Sequence, residues 1–481
     1  MTTEIALARP DGPDHRPAVA PSAAGVGWTL LLIVLAGVAL RLALWCWFGG
    51  IGLRIWDERD YDALATSLVV RGEYGFRPGE PVSIRPPLYP AFLAGVYEVF
   101  GPGSFQAVRL LQAAVSLVNV LILYRLGTVV YGPRVGVWLA GLYGFYPSML
   151  GFNNLLLTEV LFTFFLSAAC LALIRSLQTG SRGRLVLAGI LLGLGALTRS
   201  VLWIFAPVLT LFLLCAWPDR FPRRLLAAGS LALAFGATIA PWAVRNTRLE
   251  KTFLVIDSMG GRNLMMGNYE YTPLRRSWDA ISLEGERSWD FVLSRREPTF
   301  HKSTQGQIDK LAMRSAIAFM VKHPGLTLQR DVVKFFDFWG LERELVAGAA
   351  HGYFGRLPIP AIVLLTAVIF GAYAAAMITG IFGMIMTPPS DRWAHRLLLL
   401  TIAFVCGMHT LTFGHSRYHL PVMPLVLIYS AGVIACRREI WRRRARPSFA
   451  LSCGVSLVLI LAWSWDVFVV DLHRYWNMLH L

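Results

Sequence analysis

Charge is what this sequence has least of. Only 15% of its 481 residues are Asp, Glu, Lys or Arg, while 56% are hydrophobic and the mean hydropathy is +0.54. Soluble domains carry roughly a quarter charged residues, so an ordinary soluble chain is excluded and a polytopic membrane protein is expected. Cysteine is sparse too. Cys46, Cys170, Cys215, Cys406, Cys436 and Cys453 lie in or at the ends of apolar segments, with no CxxC spacing, which excludes a disulfide framework and a thiolate metal site. Lysine is nearly missing: Lys251, Lys302, Lys310, Lys322 and Lys334 all fall in one long hydrophilic stretch. Residues 1–25 hold four Pro and several Ala but no basic start followed by a short apolar core and a cleavage site. They are expected to form a disordered cytoplasmic tail rather than a signal peptide.

What is present is a series of apolar runs near 27–48, 104–126, 135–150, 159–177, 185–200, 201–217, 225–243, 359–386, 397–413, 421–436 and 449–470. Each approaches the length that spans a bilayer core, so about eleven transmembrane helices are expected. The formal charge of +16 is scattered between these runs, which points to membrane orientation rather than nucleic acid. With a cytoplasmic N-terminus, the short inside loops hold Arg125, Arg134, Arg175, Arg182, Arg184, Arg220, Arg223, Arg224, Arg392, Arg396 and six arginines from Arg437 to Arg446. The short outside loops hold only Arg199 and Arg417.

The expected layout is therefore an N-terminal transmembrane module over 26–243 with an outer loop 49–103, an outer hydrophilic segment 244–358, and C-terminal transmembrane helices over 359–481. Residues 57–71 repeat Tyr61, Leu64, Ala65 and Leu68 at helical spacing, and Pro87 to Phe100 is apolar but too short to span. Both predict helices lying at the outer interface. Val332, Phe335, Phe336 and Trp339 predict a third.

The chemistry-bearing residues gather at the outer edge. Trp56-Asp57-Glu58-Arg59-Asp60-Tyr61 is followed by Ile84-Arg85-Pro86-Pro87-Leu88-Tyr89-Pro90, then Leu157-Thr158-Glu159, Pro241-Trp242-x-x-Arg245-Asn246, Gly260-Gly261 with Gly267-Asn268, and Arg417-Tyr418-x-x-Pro421-x-x-Pro424. Ionisable groups beside hydrocarbon are costly to hold and mark working sites. In order and in common placement these motifs resemble the GT-C membrane glycosyltransferases, in particular the branch of protein O-mannosyltransferases and the lipid A aminoarabinose transferase. The resemblance runs from the first span to the tenth. It implies an all-α polytopic fold, a sugar donor carried on a polyprenyl phosphate, and transfer at the outer face of the inner (plasma) membrane to a lipid, glycan or protein acceptor. It implies no cofactor, and no metal-ligand spacing calls for a metal.

The family role of the first acid of the Asp-Glu pair is catalytic, and Asp57 holds that place. A carboxylate suits the task, because an acceptor hydroxyl becomes a good nucleophile only as its proton is removed. The rival reading is that Asp57 caps the helix that follows. Glu58 is read as an acid that orients a neighbour, and Glu159 as a second candidate acid, with Thr158-Glu159 as an ordinary helix start the alternative. The roles of Arg59 and Asp60 stay open, since this chain departs there from the aminoarabinose branch. Arg85 stands where that branch has a phosphate-contacting lysine before Pro-Pro, and a guanidinium suits a phosphodiester. Arg109, Arg245 and Arg417 are further candidates for phosphate. Tyr61, Tyr89, Asn268, His415 and Tyr418 are candidates for the sugar or acceptor.

Gly260-Gly261 is expected simply to turn a loop, and Arg41 to snorkel or face a cavity. The leading expectation is a polyprenyl-phosphate-sugar-dependent glycosyltransferase. A lipid or solute transporter would instead place polar residues and broken helices at mid-membrane in two related halves, and a non-catalytic assembly subunit could dispense with Asp57 and Arg85. No sheet-rich domain follows the last span, which favours a monosaccharide donor over an oligosaccharide.

Overall fold

The computed structural model describes residues 23–472, with side chains from residue 25. The tail expected over 1–25 falls almost entirely outside the described residues. The chain is helical nearly throughout: α1 (Ala23–Trp47), α2 (Trp56–Arg71), α3 (Leu88–Phe100), α4 (Phe105–Tyr131), α5 (Pro133–Gly144), α6 (Pro147–Phe152), α7 (Glu159–Thr179), α8 (Arg182–Thr198), α9 (Val201–Ala216) and α10 (Phe221–Glu250). A hydrophilic segment then carries α11 (Gly260–Gly267), α12 (Trp289–Arg296), α13 (Gln305–Lys322), α14 (Pro324–Phe338) and α15 (Arg343–Ala350). The chain returns through α16 (Ile359–Met386), α17 (Arg392–Leu411), α18 (Met423–Arg442) and α19 (Pro447–Trp465). The described strands, Gly75–Arg77 and Glu80–Pro81, form one small antiparallel ribbon.

Eight described helices are long and apolar enough to cross a membrane, and the chain is an integral membrane protein. All eleven apolar runs are helical, but three are short: α5, α8 and α9 have 12, 17 and 16 residues. The run expected over 135–150 breaks at Phe145-Tyr146, and Pro147 opens α6, where its missing N–H leaves no helical bond unmade. A helix as short as α5 rises about 18 Å, well under a hydrocarbon core of about 30 Å.

Small residues draw the bundle together. A Cβ on Gly189 of α8 would lie 2.6 Å from the Leu231 carbonyl oxygen of α10, and one on Gly193 2.7 Å from Thr238. Arg41, expected to snorkel or face a cavity, does neither. It is buried, donating to the Gly144 carbonyl at 3.0 Å and to Ser116 Oγ at 3.0 Å, and so fastens α1 to α5 and α4.

Helix α14 is inverted in polarity. Arg330, Lys334 and Asp337 face inward, while Leu328, Val332 and Phe335 are exposed. Lys334 Nζ donates to Asn268 Oδ1 at 2.9 Å and reaches the Leu411 carbonyl, at the end of α17, at 3.4 Å. Charged groups turned in and apolar groups turned out are what a helix shows when its surroundings are hydrocarbon. Gly260-Gly261 does not turn a loop but opens α11, where Asp309 Oδ1 accepts from the Gly261 and Arg262 N–H groups at 2.7 and 3.0 Å.

Candidate active site

Helix α2 begins after Ile55, so Asp57 is not its cap. Glu58 does that work from within the first turn. Its Oε2 accepts from the N–H of Arg54 (2.8 Å) and Ile55 (3.0 Å), and its Oε1 accepts from Leu156 N–H at 2.9 Å, tying α2 to the turn before α7. With both oxygens committed to backbone and only 1% of the residue exposed, Glu58 positions the site rather than facing it.

Asp57, one residue earlier, is free of the backbone and bridges two guanidiniums. Arg85 Nη2 donates to its Oδ1 at 2.8 Å, and Arg417 Nη1 donates to its Oδ2 at 3.2 Å. Each arginine has a second carboxylate of its own. Arg85 donates to Asp60 Oδ2 from Nη2 (2.7 Å) and Nε (3.2 Å), while Arg417 Nε donates to Glu159 Oε1 at 2.5 Å. Arg199 Nη1 reaches the same Glu159 oxygen at 3.5 Å. The result is an alternating row, Asp60–Arg85–Asp57–Arg417–Glu159–Arg199, assembled from α2, the Pro86-Pro87 turn, the 3-10 turn Ser416–Val422 and the starts of α7 and α9. In this row Asp57 has the most exposed side chain, at 28%, and Glu159 is fully buried.

The electrostatics follow from these contacts. Burial pushes the Asp57 carboxyl up, but Arg417 and Arg85 outweigh it and hold its pKa below the ordinary value. Burial also works against the Arg85 charge; Tyr61, Asp57 and Asp60 overcome it and raise the Arg85 pKa. Burial drives Tyr61 up to about 12, so the ring beneath the Arg85 guanidinium, 5.5 Å from its centroid, stays a neutral phenol. His415 Nδ1 accepts from Arg417 N–H at 3.0 Å. Burial, then Arg417 and Arg343, lower His415 to about 3, leaving it neutral.

Tyr418 stacks on His409 with centroids 4.4 Å apart and lies under Arg199 at 5.4 Å. Two further acids border the row. Glu344 lines a small cavity with Arg417, Ser148 and Ser416, and burial raises its pKa. Asp257 accepts from Met259 N–H at 3.2 Å and is raised to about 6 by burial, with Ser200 and Met259 hydrogen bonds opposing.

The structure thus gathers Asp57, Glu159, Arg85, Arg417, Tyr61, His415 and Tyr418, and leaves four expected residues outside. Arg109 donates to the carbonyls of Asn154, Phe48 and Ile51 at 3.0, 3.1 and 2.7 Å. Arg245 holds the Val82 carbonyl at 3.0 Å and lies over Trp242 at 4.4 Å, clamping the ribbon. Asn268 binds Lys334 and the Leu411 carbonyl, and Tyr89 donates to Gln112 Oε1 at 2.6 Å. All four side chains are already taken by the scaffold, which corrects their placement at phosphate or sugar. Asp60 and Arg199 join the row instead. The signal for both was present, an acid one turn after Asp57 and an arginine at an apolar boundary, but their partners were not.

Residues 84–243 match the family model described as dolichyl-phosphate-mannose-protein mannosyltransferase. That stretch is about a third of the chain and includes Arg85, Glu159 and Arg199. The chain is also similar to the undecaprenyl phosphate-alpha-4-amino-4-deoxy-L-arabinose arabinosyl transferase of Pseudomonas aeruginosa strain UCBPP-PA14, at 30% identity over 45% of this chain and 40% of that enzyme. The corresponding enzyme of Pseudomonas paraeruginosa is 29% identical over the same shares. The matched region therefore spans less than half the length of these curated relatives. Among solved structures, the oligosaccharyltransferase AglB of Archaeoglobus fulgidus has a TM-score of 0.49 at 14% identity, covering 92% of this chain and 55% of that one. ArnT of Cupriavidus metallidurans bound to undecaprenyl phosphate has a TM-score of 0.37 at 16% identity, covering 88% and 81%. The resemblance drawn from the motifs, to GT-C glycosyltransferases of the mannosyltransferase and aminoarabinose transferase branch, holds.

Proposed function

We propose that this chain is a glycosyltransferase that moves a sugar from a polyprenyl-phosphate donor to a hydroxyl of a cell-envelope lipid, glycan or protein, at the extracytoplasmic face of the inner membrane. The observation that carries the reading is Asp57, the most exposed acid of the row, held between Arg85 and Arg417. Asp57 takes the proton of the acceptor hydroxyl as its oxygen attacks the anomeric carbon. The bond from that carbon to the phosphate oxygen breaks, and its electron pair leaves on the phosphate, which Arg85 and Arg417 neutralise. Attack opposite the leaving group inverts the anomeric centre, and one carboxylate suffices because phosphate departs without protonation. The N-terminus is assigned to the cytoplasm on the arginine distribution, and the named relatives suggest an amino sugar or a mannose as donors to try first.

The test is sugar transfer in membranes or detergent with labelled polyprenyl-phosphate sugars. The wild type is expected to use one of them, and Asp57→Asn to lose about 10²–10⁴ of the rate. Full activity in a folded Asp57→Asn variant would overturn the base assignment and move it to Glu159. A wild type inert with every donor and acceptor offered would count for a transporter.

A further inference from the structure

The three carboxylates of the row are not equivalent. Asp60 serves Arg85 alone through two donor atoms, and Glu159 is fully buried against Arg417 and Arg199. Asp57 is shared, with one oxygen on each guanidinium, and it is the most exposed of the three. If Asp57 swung away, Arg85 would still be held by Asp60, and Arg417 by Glu159. The two arginines would then present their freed Nη donors, at a fixed spacing, to whatever arrived. Two oxygens of one anion bridging two guanidiniums is also how a phosphodiester binds. Within the row three arginines face three carboxylates, and the bordering Glu344 and Asp257 add no cation, so an entering phosphate is disfavoured unless a carboxylate of the row withdraws.

We infer that Asp57 occupies the phosphate seat in the resting site, and that the donor's phosphate displaces it from between Arg85 and Arg417, releasing it to act as the base. This deepens the transferase reading and rests on it. The latch answers a problem in that reading, for a carboxylate neutralised by two guanidiniums is a poor proton acceptor. Once phosphate takes over both cations, Asp57 loses the contacts that weaken it. The site is thereby armed only when the donor is in place.

The test is binding without chemistry. Farnesyl phosphate carries an isoprenyl chain and a phosphate but no sugar, and its affinity is measured by calorimetry on the full chain in detergent. Removing the internal competitor in Asp57→Asn or Asp57→Ser is expected to tighten binding about tenfold, the scale of one charged hydrogen bond, although transfer is lost. Asp60→Asn and Glu159→Gln also remove a negative charge but leave Asp57 in the seat, so they are expected to tighten binding less than the Asp57 variants do, and tightening equal to theirs would count against the latch. Equal or weaker binding by both Asp57 variants would overturn the latch while leaving the transferase reading to its own assay. Failure of the wild type and of the Asp57 variants alike to bind farnesyl phosphate would overturn both. A kinetic readout is independent of affinity: the acid limb of kcat is expected at higher pH than that of kcat/KM, and coincident limbs would count against the latch.

Discussion

Glu159 and Arg417 lie 258 residues apart in sequence and 2.5 Å apart in space. The contact joins the first turn of α7 to the 3-10 turn before α18, and it is the hinge on which the two halves of the site meet. Removing one partner of a buried pair leaves the other charge uncompensated, at about 3–5 kcal/mol. Glu159→Ala is therefore expected to lower the thermal unfolding midpoint of the detergent-purified protein strongly. Glu159→Gln, which keeps an acceptor oxygen, should fall between it and the wild type. An unchanged midpoint in Glu159→Ala would show that the pair contributes nothing to the fold.

Adjacent acids should fail in opposite ways. Glu58→Ala strands the buried N–H groups of Ile55 and Leu156, and each buried unsatisfied donor costs about 1–3 kcal/mol. Asp57→Asn keeps the side chain's shape and leaves Arg85 and Arg417 each with a carboxylate of its own, Asp60 and Glu159, so little stability is expected to be lost. Thermal melts should show Glu58→Ala as the unstable protein, and transfer assays should show Asp57→Asn as the stable, inactive one.

The pH dependence of kcat/KM for the donor follows from Asp57. The free protein needs Asp57 ionised, and Arg417 and Arg85 hold its pKa below the ordinary carboxylate value. Activity is thus expected to stay level as pH falls toward 4 and to drop only below the usual aspartate range. Replacing Arg85 with Met removes one of the two cations, so the acid limb should move to higher pH. A limb that stays put would show that Arg85 does not tune Asp57.

Lys334, whose backbone packs against Gly414 just before His415, offers a stability test outside the charged row. Burial lowers it to about 8 in the folded chain, below the ordinary lysine value of 10.5. The unfolded chain holds this proton more tightly, so Lys334 lowers stability at neutral pH, and that loss is relieved as pH rises from about 8 toward 10.5. The wild type should therefore gain stability over that window relative to Lys334→Met, as followed by chemical denaturation at each pH. A constant difference would show that Lys334 keeps its ordinary affinity for the proton.

Much of the site was legible because charge is so scarce in this chain. Asp57, Arg85, Glu159 and Arg417 each stand at the edge of an apolar run, where an ionisable group calls for a reason, and the four do converge. The pairing among them was not legible: no linear spacing tells whether Arg85 answers to Asp57, Asp60 or Glu159. Three of the four residues left outside the row share one cause. Arg109, Arg245 and Asn268 donate to main-chain carbonyls, acceptors that every residue possesses and that sequence therefore never marks. The run over 135–150 was misjudged for a different reason, since a hydropathy average over the run absorbs Tyr146-Pro147 among its apolar neighbours while the helix breaks there.

The order of synthesis gives the Glu159–Arg417 contact one more consequence. At about 5–20 residues per second, Arg417 emerges roughly 13–50 seconds after Glu159. Within that interval Arg199, 40 residues after Glu159, is the only arginine of the row to emerge after Glu159 and before Arg417. The charge pattern of the site is therefore completed late in biosynthesis, and a chain interrupted before residue 417 would carry Asp57, Arg85 and Glu159 without the residue that joins them.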